Sequence, residues 1–193
     1  MREIALIQQP YFIVFTGPMF GSKTTKMLAA IERASYQNKK VIAFKPKMDN
    51  RYSEGEIVTH TGMKFTARNI NSGEEIRQKS GDYDVIAVDE AFMIDDVAKV
   101  LIDLFKKGKS IIVSSIQLSA TGQVFEEIRD ILPWATKIEI CPAVCPRSGA
   151  DAYYTVRKKE IAKEIEVGGS DIYEPRAWTH TSFMNQEFGE ENA

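Results

Sequence analysis

Phe12-Ile13-Val14-Phe15-Thr16-Gly17-Pro18-Met19-Phe20-Gly21-Ser22-Lys23-Thr24 is the stretch that decides the fold: an apolar run of β-forming residues, then a glycine-bounded loop. The helix-forming Met27-Leu28-Ala29-Ala30-Ile31-Glu32-Arg33 follows. Strand, loop and helix in that order are a nucleotide-binding signature. Backbone N–H groups at the helix N-terminus cradle phosphates, a lysine reaches the outer ones, and a hydroxyl holds Mg²⁺. Against the pattern G-x-x-x-x-G-K-[ST], Gly17, Lys23 and Thr24 fit, while Gly21 and Ser22 stand in exchanged order. Serine at positive φ costs about 1–2 kcal/mol, small beside the interactions of a triphosphate with Mg²⁺ and lysine; alternatively its Cβ obstructs the phosphate. If the loop is compromised, the double exchange Gly21→Ser with Ser22→Gly tightens ATP binding. The plainer alternative is an ordinary glycine-containing turn.

Outward from the loop, short β-rich runs alternate with helical patterns. Strands are expected at Phe12 to Thr16, Val41 to Phe44, Val85 to Val88 and Ser110 to Ser114, and helices at Lys23 to Gln37, near Gly73 to Lys79, at Val97 to Lys107 and at Gln123 to Leu132. That alternation predicts an α/β fold, a P-loop NTPase-like parallel sheet flanked by helices. Thr136 to Ile140 reads as a last strand, after which prolines, glycines and aromatics accumulate without a helical period. The expected organisation is an ATP-binding α/β domain over 1–140, a small loop-rich subdomain over 141–183 and a flexible acidic tail over 184–193.

With 193 residues and a net charge of −2, the chain has room for a real core and no charge excess suited to nucleic acid or an anionic membrane surface. No apolar run approaches a membrane span, and a cytoplasmic protein is expected. Cys141 and Cys145 are read as buried thiols.

A second element carries chemistry. Val85-Ile86-Ala87-Val88 ends in Asp89-Glu90, and a buried strand delivering an Asp to the phosphate edge is how P-loop enzymes hold Mg²⁺, with the Glu placed to take a proton from an attacking hydroxyl. Lys45-Pro46-Lys47-Met48-Asp49-Asn50-Arg51-Tyr52-Ser53 follows the second strand. Asp49 and Arg51 are suited to organising a metal shell and neutralising phosphoryl charge, or form a solvated surface pair.

Taken in order, Gly17-Pro18-Met19-Phe20 before Lys23-Thr24, Lys45-Pro46 with Asp49-x-Arg51-Tyr52-Ser53, His60-x-Gly62 and Asp89-Glu90-Ala91 resemble the type II thymidine kinases. The likeness continues through Ala143-Val144-Cys145, Ala152-Tyr153-Tyr154-Thr155-x-Arg157 and Gly168-Gly169-Ser170-Asp171-x-Tyr173, over about residues 11 to 181. The resemblance implies ATP-dependent phosphorylation of the 5′-hydroxyl of thymidine or deoxyuridine. On it, Gly17, Pro18 and the loop Met19-Phe20-Gly21-Ser22-Lys23-Thr24 bind ATP, together with Asp49 and Asp89. Thr24 and Asp89 hold Mg²⁺, Glu90 is the general base, and Arg51 and Lys23 flank the transferring group. Met19, Ile116, Phe125, Thr155, Val167, Gly168, Gly169, Ser170 and Tyr173 correspond to residues lining the nucleoside pocket, braced by Arg157, within a lasso-like segment. A dimer or tetramer is implied by the resemblance alone.

The chain departs from that family at several points. Phe92-Met93 replaces Gln-Phe after Asp89-Glu90-Ala91, and Ala120 replaces an aromatic, implying a wider base slot. Where the family carries four zinc ligands, this chain has Cys145, Ser148, Ala177 and His180. A closed tetrahedral site needs four N or S donors, so no structural zinc is expected, and packing through Trp178, Phe183 and the prolines is expected in its place. A competing reading is an impaired relative that binds nucleotide as a regulatory or assembly protein. A third, an ATPase moving on nucleic acid, lacks the basic face it needs.

Overall fold

The computed structural model describes residues 9–49, 55–59, 62–158 and 168–184. Its frame begins with β1 (Phe12–Thr16), α1 (Lys23–Tyr36) and β2 (Val41–Pro46), then β3 (Glu56–Val58), β4 (Lys64–Ile70) and α2 (Gly73–Lys79). β5 (Val85–Asp89), α3 (Val97–Lys106), β6 (Ser110–Ser114), α4 (Glu126–Ile131) and β7 (Lys137–Ile140) complete it. Seven strands form one sheet in the order β3-β4-β2-β5-β6-β1-β7. All neighbours run parallel except β3, which pairs antiparallel with β4. The parallel α/β sheet expected from the sequence is therefore present.

The sheet is buried on both faces, which is why its central strands read as unbroken apolar runs. Side chains alternate across it. Phe12, Val14, Phe44, Val88, Ile111 and Val113 pack towards α2, α3 and α4, with Phe12 edge-on to Phe105 at 5.5 Å between centroids. Phe15, Ala43, Ala87 and Ile112 pack towards α1 through Met27, Leu28 and Ile31.

Two details differ from the sequence reading. The β3–β4 hairpin was not anticipated, because β4 is a lateral strand whose residues are mostly exposed or half-buried and give no apolar run. The helix expected from Gln123 begins at Glu126 instead. The Gln123 carbonyl accepts the Ser119 N–H at 2.8 Å, closing a loop in which Leu118 bridges Val124, so these residues are committed elsewhere.

Beyond β7 the chain forms two small antiparallel pairs: β8 (Ala143–Val144) with β9 (Asp151–Ala152), and β10 (Tyr154–Arg157) with β11 (Tyr173–Arg176). Phe183 packs edge-on to Tyr154 at 5.9 Å, and its ring lies against Gly122. Trp178, by contrast, is 48% exposed. Among the described residues no helix is long and apolar enough to cross a membrane.

Candidate active site

The loop after β1 is built on a carbonyl contributed by the residue that follows β7. Cys141 follows β7 and donates its N–H to the Thr16 carbonyl at 2.7 Å. Its own carbonyl oxygen then lies under the loop, where a Cβ placed on Gly17 would be 2.4 Å away and one placed on Gly21 only 2.2 Å. Both positions therefore require glycine. Ser22 takes the left-handed conformation, φ 58° and ψ 20°, at the N-cap of α1. The exchanged order in the sequence thus has a local cause: glycine stands where another backbone crowds in, and serine bears the left-handed turn. The restoring double exchange expected to tighten ATP binding is corrected by this geometry, since serine at 21 meets a backbone oxygen that has no freedom to swing away.

Lys23 is buried, and its ammonium donates to the Pro18 carbonyl at 2.6 Å, which also accepts the Gly21 N–H at 3.3 Å. At the second residue of α1, the Thr24 hydroxyl lies 3.3 and 3.4 Å from the two carboxylate oxygens of Asp89. Asp89 ends β5, is itself buried, and pairs in register with Ser114 of β6. Burial and the adjacent Glu90 and Asp49 carboxylates push Asp89 up to about 7, against the opposing pull of the Ser114 hydroxyl and Lys23. Such a congested acidic site is one that a bound divalent cation relieves, and the Thr24 hydroxyl beside the carboxylate supplies the oxygen donors that Mg²⁺ prefers. Glu90 is held in a left-handed backbone conformation, φ 48°. That is costly for a residue with a Cβ and is a kind of strain that collects at functional sites.

These groups share one cleft, lined by Met19 to Thr24, Asp49, Asp89, Glu90 and Gly169. Gly17 and Pro18, also expected to bind ATP, do not line it. Asp49 is only 7% exposed, so it is no solvated surface partner. Lys45, Glu56 and Thr59 also line the cleft. Sequence reasoning gave them no role, although the Lys45-Pro46 pair had marked the segment. Arg51 and Val167 lie outside the described residues, as do His60, Tyr52 and Ser53.

Among the described residues, the others expected around a nucleoside do not line this cleft. Thr155 is buried on β10 and its hydroxyl accepts the Met19 N–H at 2.9 Å, tying the C-terminal segment to the loop. Tyr173 is buried and its N–H reaches the Gly169 carbonyl at 3.0 Å, which fixes the Gly168-Gly169-Ser170 turn against β11. Ile116 is buried beside β6. Phe125 stacks at a tilt on Phe92, with centroids 4.6 Å apart, so the apolar residue standing in place of a polar one at 92 packs on a neighbouring ring.

The zinc-ligand positions do not suit a metal. Cys145 is buried with Ala143, Ala152 and Ala177, and alanine at 177 offers no donor. Burial pushes the Cys145 thiol up, but the Ser148 hydroxyl and the N–H groups of Ala177, Arg147 and Ser148 outweigh it and bring it down to about 7. Among the described residues no group of three or more His, Cys, Asp or Glu is placed to hold a metal ion.

A family model described as thymidine kinase matches residues 11–180, nearly the whole described chain. The chain belongs to the thymidine kinase family. A thymidine kinase from Pyrobaculum aerophilum is 34% identical over 179 residues, covering 87% of this chain and 96% of that protein. One from Thermococcus kodakarensis is 34% identical over 181 residues, covering 86% and 91%. One from a Rhodothermus species is 30% identical over 164 residues, covering 84% and 77%. As a member of the thymidine kinase family the chain is a kinase, a transferase of nucleotide salvage, and its loop and sheet have the form such an enzyme uses for nucleotide binding.

Proposed function

We propose that this protein transfers the γ-phosphoryl group of ATP to the 5′-hydroxyl of thymidine or deoxyuridine. The observation that carries the reading is the gathering of Lys23, Thr24, Asp49, Asp89 and Glu90 around one loop-lined cleft. Phosphoryl transfer asks a protein mainly for positioning and charge neutralisation. Amides of the loop from Met19 to Thr24 bind the phosphate chain at the N-terminus of α1, and Lys23 neutralises its outer end. Thr24 and Asp89 hold Mg²⁺, which when bound screens the phosphate charge that would otherwise repel the incoming oxygen. Glu90 accepts the 5′-hydroxyl proton as that oxygen bonds to the γ-phosphorus and the bond to the β–γ bridging oxygen breaks, releasing ADP. Arg51, two residues beyond the buried Asp49, neutralises charge on the transferring group.

Residues 141–183 are proposed as the nucleoside-holding lasso, with the base against Gly168-Gly169-Ser170 and Tyr173, and with Met19, Ile116, Phe125, Thr155 and Val167 bounding the pocket. The hydrogen bond from Met19 to Thr155 supports this, because it joins the phosphate loop to the same segment. A dimer or tetramer in the cytoplasm completes the reading on family resemblance. The test is purified protein with MgATP and a panel of deoxynucleosides, scored for monophosphate. Product from thymidine or deoxyuridine is expected; ATP binding without any product would favour a nucleotide-binding regulatory protein instead.

A further inference from the structure

Phe183 is an aromatic for which neither the phosphate loop nor the paired carboxylates account, and it lies three residues past the span that the thymidine kinase family model matches. Its place is set by consecutive turns at the end of the described chain. The buried Thr181 donates its hydroxyl to the Ala177 carbonyl at 2.8 Å, and the Met184 N–H reaches the Thr181 carbonyl at 3.0 Å, so the backbone on both sides of Phe183 is held. Two elements meet the ring. One is the loop between β6 and α4, where a Cβ placed on Gly122 would lie 2.9 to 3.3 Å from three of the ring carbons. Gly122 has φ 81°, a left-handed conformation that favours glycine, and the ring fills the space a side chain there would occupy. The other is β10, through Tyr154, edge-on at 5.9 Å between centroids.

Both elements are tied to the start of the phosphate loop. In the first, the Gln117 side-chain oxygen accepts the Thr16 hydroxyl at 2.6 Å, at the end of β1. The tip of that loop folds on itself, with the Ser119 hydroxyl accepting the Gln123 N–H at 3.0 Å and the Ser119 carbonyl accepting the Gly122 N–H at 3.1 Å. In the second, Tyr154 precedes Thr155, whose hydroxyl accepts the Met19 N–H. Loop and strand therefore each run from the phosphate loop to Phe183, and the ring closes the circuit between them. The loop carries Ala120, where the family resemblance implies an aromatic, and it is bounded by Ile116 and Phe125. With that aromatic missing, the position of this wall depends on what braces the loop from behind, and a ring packed between two fixed elements does so at little entropic cost.

We propose that Phe183 is a positioning residue for the nucleoside: wedged between Gly122 and Tyr154, its ring holds the loop 117–124 at a fixed distance from β10 and so sets the width of the base slot that Ala120 leaves open. This rests on the proposed nucleoside kinase reading and adds to it a residue that acts on the base through the loop.

The test separates positioning of the nucleoside from general support of the fold. Phe183→Ala, Phe183→Leu and Tyr154→Leu are compared with wild type in thymidine and MgATP kinetics, in thymidine binding by calorimetry, and in thermal melting. Phe183→Ala is expected to raise the thymidine KM and weaken thymidine binding about three- to tenfold, the scale of one aromatic contact, with kcat and the KM for ATP within about twofold. Phe183→Leu, which keeps apolar bulk against Gly122, should recover most of that loss. Tyr154→Leu removes the other ring of the contact and should weaken thymidine by a similar factor; it carries the test if Phe183→Ala fails to fold. The double variant Phe183→Ala with Tyr154→Leu should lose little more than either alone, because both break one contact. Unchanged thymidine affinity in the single variants, an equal rise in the KM for ATP, or additive losses in the double variant overturns the proposal. A wild type that binds thymidine yet phosphorylates no nucleoside overturns the kinase reading instead, and leaves the affinity comparison able to decide the role of Phe183; a wild type that binds no deoxynucleoside overturns both.

Discussion

Gly21 and Ser22 differ by one methylene-borne hydroxyl, yet their surroundings make them non-interchangeable. A Cβ at 21 would lie 2.2 Å from the Cys141 carbonyl oxygen, and overpacking of this kind costs about 1–3 kcal/mol. Gly21→Ser should therefore melt about 2–12 °C below wild type for a chain of this size; a melt unchanged from wild type would show the contact to be soft. Ser22→Gly relieves a left-handed serine but loosens the unfolded chain, two effects of about 1 kcal/mol that oppose one another. Thermal melting within a few degrees of wild type is its expected outcome. At Glu90 the prediction is chemical: Glu90→Gln lowers turnover by about 10²–10⁴ with ATP binding retained, and full activity in that variant would remove Glu90 from the reaction.

At the scale of elements, β1, β2, β5 and β6 were legible because strands covered on both faces become apolar runs, and α1 and α3 because their buried faces recur at helical spacing. The β3–β4 hairpin left no such trace. Its residues alternate between cleft, core and solvent, and its place beside β2 is set by tertiary pairing such as Ala43 with Ala67. The site showed the same division. Gly17, Lys23, Thr24, Asp89 and Glu90 were readable because a loop motif and a strand end are local patterns. Lys45, Glu56 and Thr59 were not, because only strand order brings them to the cleft. The two-residue strands β8 and β9 are too short to leave a periodic pattern. The link from β10 to the loop gives a further prediction. Thr155→Val leaves the Met19 N–H without its acceptor, a loss of about 1–3 kcal/mol when the donor stays buried, and should raise the KM for nucleoside. Thr155→Ser, which keeps the hydroxyl, should restore both; a Ser variant as impaired as Val would mean that the methyl group matters and the hydrogen bond does not.

For the molecule as a whole, Asp89 sets a pH signature. Its carboxyl is raised to about 7 in the fold from an ordinary value of 3.8. The native state therefore holds a proton that the unfolded chain has released, and this contribution to stability is full at acid pH and is lost as pH climbs through about 7. Glu75, Asp103 and Glu139 are shifted the opposite way, with Lys79, Arg77 and Lys137 respectively as their leading partners, so the wild-type curve alone mixes both signs. Asp89→Asn isolates the first: it should melt above wild type at pH 7 and higher, with the gap closing towards pH 4. A pH-independent gap would contradict the raised carboxyl. Metal removal gives the complementary test. With alanine at 177, chelation should leave the melting temperature unchanged and elemental analysis should find far less than one zinc per chain; stoichiometric zinc would refute the packing account of residues 141–183. The wedge beneath the phosphate loop also bears on synthesis. Residues 17 to 24 leave the ribosome early, but the Cys141 carbonyl that shapes them is translated much later, so a nascent chain halted before β7 carries the whole motif without its backing. The nucleotide cradle is completed only once β7 and Cys141 have been made.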